Sequence, residues 1–187
     1  MGRWEPNARE RLAEAALELY GERGYEQTTV AEIAKRAGLT ERTFFRHYAD
    51  KREVLFDGSG ELEELFVRAV AAAPATAAPI EALAAGLDAA SEIFVDRRAF
   101  ARARHAVITA NAELKERELI KLASLSTALA GTLRGRGVPE PAASLAAEAA
   151  VAVFKVGFER WLAASEDREL VHLVREALTE FKAVAAG

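Results

Sequence analysis

Residues Thr28–Lys51 read TTVAEIAKRAGLTERTFFRHYADK, and the reading of this stretch decides the fold. Thr29 stands three residues before Glu32. That is the spacing of a capping box, in which each side chain satisfies a free N–H at the other residue. Val30, Ile33, Ala34 and Ala37 follow as the buried stripe of a short helix. Gly38 supplies the left-handed residue that stops it. Leu39 points inward, and Thr40 caps a second short helix over roughly Glu41–His47. A short helix, a glycine-containing turn and a second helix make a helix–turn–helix.

On that second helix Glu41, Arg42, Phe45 and Arg46 fall at i, i+1, i+4 and i+5 and share one face. Phe44 points the other way, toward Leu39 and Ile33. The major groove of DNA admits an α-helix, and arginine pairs bidentately with guanine. Arg42 and Arg46 are therefore expected to read bases, and Glu41 is able to accept from cytosine. Thr43 and His47 are placed to reach the phosphate backbone. Lys51 adds a cation beside the positive end of the next helix, where both favour phosphate. Two arginines on an arbitrary surface helix are usually solvated charges. Here an exposed aromatic lies between them, behind a full turn-and-cap arrangement, and that favours DNA.

Working outward, Asn7–Arg23 reads as an amphipathic helix, with Pro6 just before it and Gly24 to end it. Arg9 and Arg11 on it, with Arg3 ahead of it, are either solvated surface or phosphate contacts. Asp50-Lys51-Arg52-Glu53 is again box-like. A long helix is expected to follow, with Val54, Leu55, Leu62, Leu65, Phe66, Ala69 and Val70 inward. Gly58-Ser59-Gly60 interrupts it as a kink or as a hinge. After the connector Pro74–Pro79, apolar periodicity predicts helices from Ile80 to about Asp96, from Phe100 to about Ala110 and from Leu114 to Arg134. Residues 135–141, GRGVPEP, are a breaker loop. Two last helices, Ala142–Ala164 and Glu169–Ala185, look apolar on more than one face, which must be buried in the core or against a partner. The expected fold is all-α: a three-helix DNA-binding head over residues 1–52, then a larger helical body over residues 53–187.

Composition agrees. Hydrophobic residues make up 51% of 187, and the dominant alanine, leucine, glutamate and arginine favour helix. The net charge is −4, which by itself argues against a protein coated in nucleic acid. The bases Lys35, Arg36, Arg42, Arg46, Lys51 and Arg52 are nevertheless gathered between Ala31 and Arg52, a distribution suited to docking DNA with one end only. There is no cysteine, so no disulfide framework and no thiolate metal site. The histidines His47, His105 and His172 lack helical metal-pair spacing, and no phosphate loop or nucleophile elbow is present. No metal, no cofactor and no enzymatic activity are expected. Met1–Pro6 has no apolar signal core, and no apolar run approaches the ~20 residues of a membrane span. The expectation is a soluble, cytoplasmic protein.

The run Thr28-Thr29-Val30, Ile33-Ala34, Ala37-Gly38-Leu39-Thr40, Thr43-Phe44-Phe45-Arg46-His47-Tyr48, Lys51 and Leu55 resembles the DNA-binding domain of tetracycline-repressor (TetR) family regulators. The likeness covers the first quarter to third of the chain. It implies about nine helices, a homodimer built from the last two, and a small-molecule pocket in the middle ones. By position it implies that Thr29, Thr43, His47, Tyr48 and Lys51 contact phosphates, with Thr40 at the helix start counted among the DNA-contacting residues. Glu41, Arg42, Phe45 and Arg46 are implied to face bases. The family commonly has tyrosine where this chain has Phe45, so a hydroxyl contact is lost. Its common Tyr-Phe ending appears here as His47-Tyr48, which shifts the expected phosphate contact by one residue.

The body is faintly similar to regulators that sense acyl-coenzyme A. Candidate ligand-lining residues are Phe66, Phe94, Phe100, His105, Ile108, Asn111, Phe158 and Trp161, with plain core packing the competing reading for each. The expected dimer interface is Ala150, Phe154, Gly157, Trp161, Val174, Leu178 and Phe181. Together these readings describe a homodimeric repressor released from a palindromic DNA operator by a small-molecule effector. The rivals are a DNA binder without a ligand switch, and a helical enzyme or ligand carrier that does not bind DNA.

Overall fold

A computed structural model describes residues 7–165 and 168–187; Arg3 and Pro6 lie outside the described residues. Among the described residues the chain is all-helical, with nine α-helices and a short 3-10 turn. It divides into two compact units, residues 1–58 with 102–118, and residues 59–101 with 119–187.

The first unit begins with α1 (Ala8–Arg23). Asn7 and Glu10 cap it reciprocally: the Glu10 N–H donates to Asn7 Oδ1 at 3.0 Å, and the Asn7 N–H to Glu10 Oε2 at 3.2 Å. The second helix, α2 (Val30–Arg36), carries the expected Thr29–Glu32 box. It ends in a Schellman motif. The Leu39 N–H reaches the Ala34 carbonyl at 2.8 Å and the Gly38 N–H reaches Lys35 at 3.0 Å, with Gly38 at φ 65°. Thr40 then caps α3 (Glu41–His47) by accepting from the Thr43 N–H at 3.1 Å.

The expected long helix does not start at Lys51. Asp50 Oδ1 instead accepts from the N–H groups of Arg52 and Glu53 and starts the 3-10 turn Glu53–Phe56. Gly58, at φ 86°, breaks the chain before α4 (Ser59–Ala72). A positive φ is a conformation that glycine adopts without the usual Cβ penalty.

The core of this unit joins Leu12, Ala16, Leu19, Tyr20, Ile33, Phe44 and Val54–Phe56 to two distant residues, Ile108 and Leu114. Those two come from α6 (Arg98–Ala110) and α7 (Ala112–Gly135). Three ties flank them: Arg104 Nε donates to the Leu55 carbonyl, Arg117 Nε to Glu53, and Arg52 pairs with Glu113.

In the second unit α4 meets α5 (Pro79–Glu92) across Gly86, where a Cβ would sit 2.3 Å from the Phe66 ring. Only glycine permits that approach, and it closes the core around Phe66, Val70, Leu83, Leu87, Leu129 and Leu133, each no more than 1% exposed. Arg136, inside the predicted breaker loop, donates to the carbonyls of Ala71, Ala73 and Pro74 and so satisfies the free end of α4. The last helices are α8 (Ala142–Ala163) and α9 (Leu170–Ala186). They touch at Gly157, where a Cβ would fall 2.8 Å from the Val174 Cα.

The residues expected at the dimer interface serve the internal packing of this unit. Ala150, Phe154, Gly157, Trp161, Val174 and Leu178 are all buried within the second unit. Phe181 remains partly exposed. Both helices have two apolar arcs; on α8 the arc with Phe154 and Trp161 packs inside the chain, and on α9 the arc of Leu170, Leu173, Val174, Ala177 and Leu178 does. The other leaves Leu145, Val156 and Val184 exposed. Among the described residues no helix is long and apolar enough to cross a membrane.

Candidate nucleic-acid interface

The geometry of α3 follows from its two phenylalanines. Phe44 is completely buried and anchors the helix against Ile33 and Leu12. Phe45, the next residue, is 55% exposed, with its ring edge-to-face on Phe44 at 5.5 Å. Glu41, Arg42 and Arg46 are exposed alongside it. Thr40 and Thr43 share a hydroxyl hydrogen bond at 3.0 Å, and Arg46 Nη2 lies 3.5 Å from His47 Nε2.

The arginines of this unit sort into two kinds. Arg9 pairs with Asp57, Arg23 with Glu32, Arg36 with Glu18 and Glu22, and Arg52 with Asp50 and Glu113. Arg11 donates to the Ala37 carbonyl. Arg42 and Arg46 meet no carboxylate among the described residues. Arg36 also holds the Glu22 carboxyl below its ordinary pKa, as a direct hydrogen-bond donor to it. Both unpaired arginines of the motif therefore stand on α3.

Other expected phosphate contacts are placed differently. The Lys51 Nζ donates to the carbonyls of Tyr25, Thr28 and Glu26 at 2.9, 3.1 and 3.4 Å, and lies over the Tyr25 ring. Its own carbonyl accepts from the Tyr20 hydroxyl at 2.7 Å. Lys51 thus pins the loop between α1 and α2. The Tyr48 ring is buried, its hydroxyl facing the Arg9 carbonyl at 3.4 Å with the Arg9 guanidinium over the ring. Thr29 is exposed, with its hydroxyl engaged in the cap of α2. Sequence reasoning missed Arg11 as a structural residue, because its carbonyl partner is 26 residues away.

The ligand-lining candidates divide between the units. Ile108 is fully buried in the first unit's core, and Asn111 bonds the Val107 carbonyl at 2.6 Å; His105 lies in the same unit. Phe66 fills the second unit's core, and Phe100 is exposed at its surface. Phe94, Phe158 and Trp161 form an aromatic cluster with Phe154, at centroid distances of 5.1 to 6.2 Å. Phe94 and Trp161 border an open cleft of about 470 Å³, with Leu170 and Val171 as further apolar wall and the Asp88–Arg175 ion pair at its side.

Residues 12–57 match the sequence profile of bacterial regulatory proteins of the tetR family, and residues 77–186 match that of the MftR C-terminal domain. The chain belongs to the TetR family of transcriptional regulators. Among similar TetR-family proteins, the transcriptional regulator TcmR of Streptomyces glaucescens is 41% identical over 75 residues, 40% of this chain and 33% of TcmR. The transcriptional repressor KstR2 of Mycobacterium tuberculosis is 38% identical over 73 residues, 38% of this chain and 36% of KstR2. These alignments span only about a third of each relative. The crystal structure of Thermus thermophilus FadR, a TetR-family repressor in complex with lauroyl-CoA, superposes with a TM-score of 0.55 at 27% identity, covering 91% of both chains. The TetR-family assignment accounts for a helix–turn–helix head followed by a helical body.

Proposed function

We propose that this TetR-family chain is a sequence-specific DNA-binding repressor that acts as a homodimer on a palindromic operator and leaves it when a small, hydrophobic or acyl-bearing effector binds. One observation carries the DNA reading. Arg42 and Arg46 flank the exposed Phe45 on α3 without a carboxylate partner, in a unit where the other arginines from Arg9 to Arg52 have one or hold a backbone carbonyl. Each is free to make a bidentate pair with guanine in the major groove. The repressor KstR2 among the relatives supports the direction of regulation.

A homodimer would set two such helices one DNA turn apart, ~34–36 Å. The face left for pairing on α8 is Leu145, Ala149, Ala152, Val156 and Ala163, with Glu159 in the same row. Their alternating spacing of four and three residues is that of a helix–helix seam. On α9, Phe181 and Val184 extend it. The effector site we assign to the cleft beside Phe94 and Trp161. The acyl class is supported by the lauroyl-CoA complex of Thermus FadR. An effector releases DNA only through higher affinity for the non-binding conformation, a coupling of ~1–3 kcal/mol in typical cases.

The test is selection of duplexes from a random library by the full chain, followed by anisotropy titration of the enriched duplex. Arg42→Ala with Arg46→Ala is expected to lose at least ~30-fold in affinity with helicity unchanged, since each bidentate pair is worth ~1–3 kcal/mol. An enriched sequence bound equally well by the double variant would overturn the reading.

A further inference from the structure

We infer that Phe45 reads the C5-methyl group of a thymine in the operator and is the residue that sets a T·A preference beside the guanines contacted by Arg42 and Arg46. The inference rests on the DNA-binding reading above. Three observations carry it. Phe45 is 55% exposed on a helix whose neighbouring aromatic, Phe44, is wholly buried, so its exposure is not a packing defect of α3. The Phe44 ring backs it edge-to-face at 5.5 Å, and the capped helix fixes its direction. Arg42 and Arg46 lie on the same face, three residues before it and one after, so the ring is carried into the groove wherever the two cations go.

The chemistry then leaves one partner. A phenyl ring has no hydroxyl, so it cannot donate to a phosphate or to a base acceptor. The apolar group displayed in the major groove is the thymine methyl, and phenylalanine is among the side chains that contact it. Water leaves both surfaces when they meet, and the arginines on either side keep the ring from sliding along the groove. A tyrosine in its place would keep the ring and add a hydroxyl able to compete for phosphate; phenylalanine commits the position to the methyl.

The experiment uses the full chain and the duplex enriched by selection. Each thymine of one half-site is replaced in turn by deoxyuridine, which removes the methyl and leaves base pairing and charge intact. At one position the substitution is expected to weaken binding about fourfold, which is ~0.8 kcal/mol for one buried methyl. Phe45→Ala is expected to bind thymine and deoxyuridine duplexes equally at that position, whereas Phe45→Tyr keeps the discrimination. Failure to enrich any sequence would overturn the DNA-binding reading itself. An enriched sequence insensitive to every deoxyuridine, or a deoxyuridine penalty that persists in Phe45→Ala, would overturn only the role of Phe45. Circular dichroism of both variants establishes that α3 is still folded; the exposed ring makes unfolding by Phe45→Ala unexpected.

Discussion

The guanidinium of Arg11 donates from Nη2 to the carbonyl oxygen of Ala37 at 2.5 Å, so α1 grips the turn that joins the two helices of the motif. The same nitrogen lies 2.9 Å from where a Cβ on Gly38 would stand. The turn therefore has two supports in contact with each other, the left-handed glycine and a charged donor on a carbonyl at the end of α2.

Arg11→Ala is expected to destabilise the first unit by about 1.5–3 kcal/mol, the usual worth of a charge-assisted hydrogen bond. Gly38→Ala adds both a strained positive φ and a close approach to Arg11, and should cost on the order of 1–3 kcal/mol. Thermal or urea unfolding followed by circular dichroism measures both. Unchanged midpoints would show that the turn holds without them.

Lys51→Ala separates two roles. As a phosphate contact, Lys51 would lower the salt dependence of DNA binding when removed. As a donor to the Tyr25 and Thr28 carbonyls, its loss should lower stability by about 1.5–3 kcal/mol and leave the salt slope of the folded protein unchanged. We expect the second result, from unfolding curves paired with anisotropy titrations at several salt concentrations. A reduced slope at unaltered stability would restore Lys51 to the DNA contacts.

The three tyrosines of the chain, Tyr20, Tyr25 and Tyr48, all lie in the first unit, and burial raises the pKa of each well above its ordinary value. A buried neutral phenol favours the folded state fully below the unfolded pKa of ~10, and that contribution is lost as pH rises toward the folded values. Tyrosinate absorbance should therefore stay low in the native protein at pH 10. It should appear together with loss of helicity at higher pH. Three tyrosines titrating near pH 10 with helicity intact would contradict the burial described.

Two neighbouring residues on α8 should fail in different ways. Val156→Glu places a charge on the outward row, 46% exposed at that residue, and is expected to give a folded monomer with weakened DNA binding. Gly157→Ala pushes a methyl into the Val174 backbone and is expected to cost ~1–3 kcal/mol of stability, as overpacking does. Light scattering decides the first and unfolding midpoints the second. A dimeric Val156→Glu would move the pairing surface elsewhere.

The sequence by itself determined the two helices of the motif, the glycine turn and the exposed face of α3. Those features are set within a few residues of chain: Thr40 caps by reaching Thr43, Gly38 must take a positive φ, and helical periodicity separates Phe44 from Phe45. Tertiary structure alone decided three other things. Ile108 and Leu114 entered the first unit's core, because an apolar stripe does not name the surface it will meet. The inward arc of α8 and α9 was settled by the fit of Gly157 to Val174, a contact between residues 17 apart, and not by hydrophobicity, which both arcs share. Arg11 and Lys51 took backbone carbonyls as partners, and a carbonyl is present at every residue and leaves no mark in the sequence. Local rules thus located the face of α3, and long-range packing chose which cations were left free to use it.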